Sequence, residues 1–296
     1  MPDDFIARAR NGPVICGDGA WGSLLIERGL PPGQPPEIWT LERPDLLREI
    51  ADEYASAGAE IITTNTFGGS SLRLAAHGLA DRADELNTAA VELAVQASNG
   101  RAWIGASVGP TGRLLTPLGD LDPADAAASF EQQIATLARA GADVICVETM
   151  TDLVEATLAV RAAKAVAPQL PVVATMTFDA TARGVFTIMG VTPARASRAL
   201  ADAGADLVGA NCGHGVQEMQ VVAREFATHA RTPIAIRPNA GLPVRRDGRL
   251  VYTEDPALFA AVARHLVLPG VGLIGGCCGT TPAHIRLLAR QLAWSD

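Results

Sequence analysis

Eight short apolar runs rich in Val and Ile recur along the 296 residues, and their spacing limits the fold more than any other feature. They begin at Val14, Ile61, Trp103, Val144, Val172, Leu207, Ile234 and Gly272, on average about 37 residues apart, the length of one strand–helix–strand repeat. Alanine-rich segments with helical spacing lie between them. Phe130, Ile134, Leu137 and Ala138 share a face within Ala124–Ala140, as do Leu153, Ala156, Thr157 and Val160 within Leu153–Val166. The runs are almost continuously apolar, as parallel strands inside a helical shell are. Glycines in Ala57-Gly58-Ala59, Ala140-Gly141-Ala142 and Ala203-Gly204-Ala205 supply the left-handed residue that ends a helix. Eight such units predict an α/β protein, a closed (β/α)8 TIM barrel forming a single domain over residues 1–296. An open doubly wound sheet is the alternative, but Gly17-Asp18-Gly19-Ala20-Trp21-Gly22 lacks its GxGxxG phosphate turn. The Pro-rich stretch Pro31–Pro36 reads as a long loop within the domain.

Charge and composition narrow the partners. Lys+Arg is 24 against Asp+Glu 32, a net charge of -8, with no basic run of the kind that phosphate contacts require. No apolar stretch approaches the roughly 18 residues of a membrane span. Met1 to Gly12 lacks the apolar core of a secretory signal. The expectation is a soluble cytoplasmic protein that binds neither nucleic acid nor membrane. Five scattered cysteines suit a reducing compartment better than a disulfide framework. A homodimer through the alanine-rich outer helices is the default expectation for assembly.

Chemistry gathers at the carboxyl ends of the strands, where barrels of this type form their active sites. The runs end in Asp18, Asn65-Thr66, Ser107 and Gly109, Glu148-Thr149, Asn211-Cys212, Asn239 and Cys277-Cys278. Strand alternation puts Cys16 with Asp18 and Cys146 with Glu148; if those faces point inward, both carboxylates look into the barrel mouth. Either carboxylate alone reads as a helix cap or a surface charge. Cys212 lies in Gly209-Ala210-Asn211-Cys212-Gly213-His214-Gly215, and the vicinal pair in Gly275-Gly276-Cys277-Cys278-Gly279. Adjacent strand residues point apart, but the flanking glycines permit a bulge or turn that aims both sulfurs together. Three thiolates suit a soft or borderline cation, zinc first, with one coordination position left open. Inert core thiols and a vicinal disulfide are the competing readings. His214 reads as a loop residue more than a ligand, and Cys16 and Cys146 as small buried hydrophobes. Arg237 reads as a structural salt bridge in preference to a contact for an anionic substrate.

The motifs GDGAWG (17–22), TNTFG (64–68), VGPTG (108–112), VETM (147–150), GANCGHG (209–215), PNAGLP (238–243) and GGCCGTTP (275–282) together resemble the zinc-dependent homocysteine S-methyltransferase family. The wording of the first three is most similar to the homocysteine-binding module of cobalamin-dependent methionine synthase. The resemblance implies zinc on Cys212, Cys277 and Cys278, which would then be the catalytic centre. It implies that Asp18 and Glu148 hold the substrate amino group and that N–H groups around Gly19 and Ala20 receive its carboxylate. Asn65 and Asn211 would form pocket walls, and Asn239 would sit near the metal. The sequence stops at Asp296 with no Asp-x-His-x-x-Gly corrinoid motif, so a methyl-corrinoid donor is expected on a separate protein. S-methylmethionine or a betaine as donor, a demethylase acting in reverse on another substrate, and a non-catalytic redox or structural zinc protein are the alternatives.

Overall fold

The structure is a computed structural model that describes residues 2–246 and 249–293. Met1 and 294–296, the two ends of the expected domain, lie outside the described residues. Eight parallel strands form the barrel: β1 (Ile15–Cys16), β2 (Ile61–Thr63), β3 (Trp103–Val108), β4 (Val144–Met150), β5 (Val172–Met176), β6 (Leu207–Cys212), β7 (Ile234–Pro238) and β8 (Val271–Ile274). They pair in the order β1-β8-β7-β6-β5-β4-β3-β2. A parallel bridge between Gly17 and Ile61 brings β1 back against β2. Bonds of 2.7 Å from Glu60 N–H to the Cys16 carbonyl and 3.1 Å from Asp18 N–H to the Ile61 carbonyl complete the ring.

The strands read as apolar throughout because each buries two faces. Ile15, Ile61, Val144, Cys146, Val173, Leu207, Ala235 and Leu273 fill the barrel interior. Their alternates, among them Ile62, Ile104, Ile145, Ala174, Val208 and Ile236, pack outward against the helices. The helix of residues Leu153–Val166 begins and ends where its periodicity places it, and the other runs Pro123–Arg139. Gly58, Gly141 and Gly204 take φ of +104°, +108° and +111° beyond helix ends, as the Ala-Gly-Ala breaks require. Among the described residues no helix is long and apolar enough to cross a membrane.

Three features escaped the periodicity. A helix α1 (Pro2–Asn11) plugs the amino-terminal end of the barrel, with Phe5 fully buried among the interior side chains. Two antiparallel hairpins, Asp179–Thr181 with Gly184–Phe186 and Pro243–Arg246 with Arg249–Tyr252, follow β5 and β7. The pairing of Cys16 with Asp18 on one inward face is corrected. Ile15 faces the interior and Cys16 the helices, because β1 has only two residues and the chain departs from strand geometry at Gly17. Asp18 nevertheless reaches the mouth. Cys146 does face inward, on the same side as Glu148.

The plug leaves one glycine without alternatives. A Cβ on Gly272 would stand 2.2 Å from the Ala9 carbonyl oxygen, a backbone atom of α1 that cannot swing aside. Gly272→Ala is therefore expected to destabilise the protein by about 1–3 kcal/mol in urea unfolding, through overpacking. An unchanged midpoint would show that α1 is not seated in this way.

Candidate active site

The three cysteines predicted to converge do so. Cys212 ends β6 with φ +69°, a left-handed conformation that costs a non-glycine residue of order 1–3 kcal/mol and turns its side chain out of strand alternation. Beyond β8 the chain forms a turn, not a strand. Cys277 N–H donates to the Pro238 carbonyl (2.8 Å), Ala240 N–H to the Cys278 carbonyl (2.9 Å), and Thr280 N–H to the Cys277 carbonyl (3.1 Å). Opposed orientation of adjacent residues therefore does not apply, and the three Sγ atoms lie within 4.8 Å of one another. All five cysteines are free thiols. Hydrogen bonds from Cys277 and then Cys278 pull the Cys212 thiol well below its ordinary value, while the same contacts raise Cys277 and Cys278. One proton of the trio is readily lost.

Two asparagines hold this arrangement. Asn211 Oδ1 accepts from Thr149 N–H and from Thr175 Oγ1, both at 2.8 Å. Its Nδ2 donates to Thr149 Oγ1 (2.7 Å) and to Cys277 Sγ (3.6 Å). Asn239 Nδ2 donates to the Gly213 carbonyl (2.6 Å), fixing the turn after Cys212. Asn239 Oδ1 is buried and has no partner among the described residues. An orphan acceptor beside three converging sulfurs is what a site built around a cation leaves when only protein atoms are counted. A tetrahedral ion with metal–sulfur bonds of about 2.3 Å keeps its sulfurs about 3.8 Å apart, a spacing compatible with a trio that lies within 4.8 Å of one another. His214 is not part of it. The ring lies 3.0 Å from Glu218 and 3.4 Å from Asp179 in the surface loop, as a loop residue would. Cys16 and Cys146 are buried, and burial pushes both thiols up.

Beside the sulfurs lies an ion triad. Arg237, on the inward face of β7, contacts Asp18 Oδ1 through Nη2 at 2.6 Å and Glu148 Oε2 through Nη1 at 3.3 Å. Asp18 is fully buried, and its Oδ2 accepts from Thr63 N–H (2.7 Å), Thr63 Oγ1 (2.8 Å) and Trp21 Nε1 (3.1 Å). Glu148 accepts from Ser107 Oγ on its other oxygen, and its side chain is 14% exposed. Burial raises both carboxylates, with Arg237 opposing the rise. Burial alone would lower Arg237, but the two carboxylates hold its proton firmly. One guanidinium against two carboxylates leaves a formal charge of -1 at this spot.

Both groups border one cavity of about 510 Å³. Gly19, Ala20, Asn65, Glu148 and the three cysteines line it, whereas Asp18, Asn211 and Asn239 stand behind the wall. Ala20 N–H already donates to Thr280 Oγ1 (3.1 Å), while Gly19 N–H bonds to no described residue. Asn65 Nδ2 donates to the Pro36 carbonyl (2.8 Å) and Thr40 Oγ1 (3.3 Å), pinning the proline-rich loop over the opening. That loop closes into a 3-10 turn at Pro36–Ile38. Arg237 forms the salt bridge expected of it, at the cavity wall, while sequence reasoning gave no role to Thr63 or Trp21. Counting inward positions along β7, from Ala235 to Arg237, is the signal that marks the arginine.

The sequence profile of the family described as homocysteine S-methyltransferase matches residues 15–292. The methionine synthase of Mycobacterium tuberculosis (strain ATCC 25618 / H37Rv) is 34% identical, over 95% of this chain and 25% of its own length. That of Mycobacterium leprae (strain TN) is 32% identical, over 95% and 24%. The chain thus spans about a quarter of the length of these curated relatives. Among solved structures, the metallated form of the homocysteine methyltransferase MmuM from Escherichia coli superposes with a TM-score of 0.79 at 22% identity, covering 95% of this chain and 97% of that one. Its oxidized form gives 0.78 at 23%, covering 97% and 99%. These likenesses establish the shared barrel. By its sequence, read over almost its whole length, the chain belongs to the homocysteine S-methyltransferase family.

Proposed function

We propose that the protein binds homocysteine beside a zinc ion held by Cys212, Cys277 and Cys278, and methylates its sulfur to give methionine. The observation that carries this reading is the placement of three sulfurs within 4.8 Å of one another on the same cavity as a partly exposed glutamate. Zinc on three thiolates keeps a fourth position open and lowers the pKa of a thiol bound there, which supplies a nucleophilic sulfur at neutral pH. The remaining tasks fall to the chain. The surplus negative charge of the triad complements an ammonium group, and Glu148 is the member that reaches the cavity. Asp18 stands behind the wall and is engaged by Thr63, Trp21 and Arg237, so it acts on the ammonium through charge and by holding Arg237 in place. Gly19 N–H is free to receive the substrate carboxylate, with Ala20 N–H joining if it leaves Thr280. Asn211 aims Cys277, Asn239 steadies the Cys212 turn, and Asn65 shapes the wall.

For the donor we propose a methyl-corrinoid, on the wording of the 17–22, 64–68 and 108–112 motifs. A small donor such as S-methylmethionine is the second reading, favoured by a cavity within the roughly 300–1,000 Å³ range that encloses drug-sized ligands. X-ray absorption at the zinc edge tests the central step. Zinc-loaded protein should show three sulfur neighbours without homocysteine and four with it. A count that stays at three under saturating homocysteine refutes the reading, and a count of four in its absence identifies a closed structural site.

A further inference from the structure

The cavity has a second polar wall away from the cysteines, and the proposed chemistry of homocysteine makes no use of it. Its chief member is Arg73, on the segment after β2, which stands four places around the ring from β6 and Cys212. The Arg73 guanidinium is held in a slot. Its Cζ lies 5.6 Å from the centre of the Phe67 ring. A Cβ on Gly68 would come within 3.2 Å of Arg73 Cδ and Nε, and one on Gly112 within 3.0 Å of Nη1, so two backbone segments flank the side chain.

A guanidinium so placed normally meets a carboxylate, as Arg28, Arg101 and Arg237 do in this protein. Arg73 forms no ion pair and no side-chain hydrogen bond among the described residues; only its backbone is engaged, the N–H donating to Ser70 Oγ and the carbonyl accepting from Ala76 N–H. The two buried carboxylates close enough to feel its charge form no ion pair with it, and each commits one oxygen to another donor. Glu37 Oε1 accepts from Gly68 N–H at 2.6 Å. Glu155 Oε1 accepts from Thr111 N–H at 2.8 Å and Thr111 Oγ1 at 2.6 Å. A fork of donors, fixed in direction and facing a cavity that also holds the sulfur site, matches an oxyanion bidentately.

We propose that Arg73 forms a second-substrate subsite that binds an oxyanion of the methyl donor, a carboxylate or a phosphate, across the cavity from the cysteine trio. This rests on the reading of the chain as a homocysteine methyltransferase. Two pairs of probes separate the sources of the anion: S-methylmethionine against its carboxamide, and methylcobalamin against methylcobinamide, which lacks the nucleotide phosphate. Binding of each is measured by isothermal titration to zinc-loaded protein without homocysteine, so no turnover is required. Failure of the methyltransferase reading would appear separately, as absence of methionine formation with every donor.

In at least one pair, wild-type protein should prefer the member that bears the oxyanion, and Arg73→Gln should weaken that member by about tenfold to a hundredfold while leaving its counterpart without the oxyanion unchanged. Arg73→Lys should recover part of the loss, because it keeps the charge without the fork. Zinc content and homocysteine affinity of both variants should match wild type. Equal losses for both members of each pair, or a wild-type protein that prefers neither anion, would overturn the proposal and leave Arg73 as the counter-charge of Glu37 and Glu155. If Arg73→Gln does not fold, the same comparison made on Arg73→Lys decides the matter: an unchanged preference in that variant assigns the anion to another part of the cavity.

Discussion

Alanine in place of Cys212, Cys277 or Cys278 is expected to remove bound zinc and to lower methionine formation by more than about a hundredfold. Outer-sphere partners of metal ligands are by themselves worth roughly 10–100-fold in affinity or activity, and a direct ligand exceeds them. The three positions should behave alike, because their sulfurs form one cluster and no other described His, Cys, Asp or Glu stands within reach of it. Thermal unfolding offers an independent check. A ligand at about 100 times its Kd stabilises the folded state by about 2.7 kcal/mol. Wild-type protein should therefore lose stability on treatment with a chelator, while each alanine variant should be insensitive to it. Stoichiometric zinc and full turnover in any of the three variants would dismantle the proposed site.

The second large effect concerns Arg237. Substitution by Met leaves Asp18, fully buried, and Glu148, nearly so, without their shared cation. Removing one partner from a buried ion network costs about 3–5 kcal/mol, so Arg237→Met should show a much lower urea midpoint. The loss should depend on pH. Burial already raises both carboxylates above their ordinary values, and Arg237 restrains that rise. Without the arginine, their folded-state pKa values move further above the unfolded values of about 4. An acid whose pKa is raised by folding contributes stability that is present below the unfolded pKa and lost as pH climbs through the folded one. The deficit of Arg237→Met relative to wild type should therefore widen from pH 5 to pH 8. The triple variant Asp18→Asn, Glu148→Gln, Arg237→Met should recover part of the stability at pH 8, since no uncompensated charge remains. An equal deficit at both pH values would show that Arg237 contributes packing and not charge balance.

The sequence by itself determined the barrel, because the information is local. Period-two burial, helical spacing and glycine stops are each written within some ten residues, and the eight run starts agree with the eight strands to within one residue. The sulfur trio was legible for a related reason: glycine-flanked cysteines at strand ends have few other uses. Tertiary structure alone decided how the side chains are shared out. The two-residue β1 breaks the alternation that would have turned Cys16 inward, and Cys212 adopts a left-handed backbone that no propensity favours. Asp18, Glu148 and Arg237 are 219 and 89 residues apart along the chain, yet meet inside one mouth. The engagement of Asp18 and the exposure of Glu148 follow from that meeting. Ring closure sets such distances, and pairing across a ring depends on every strand's register at once, which no local pattern contains.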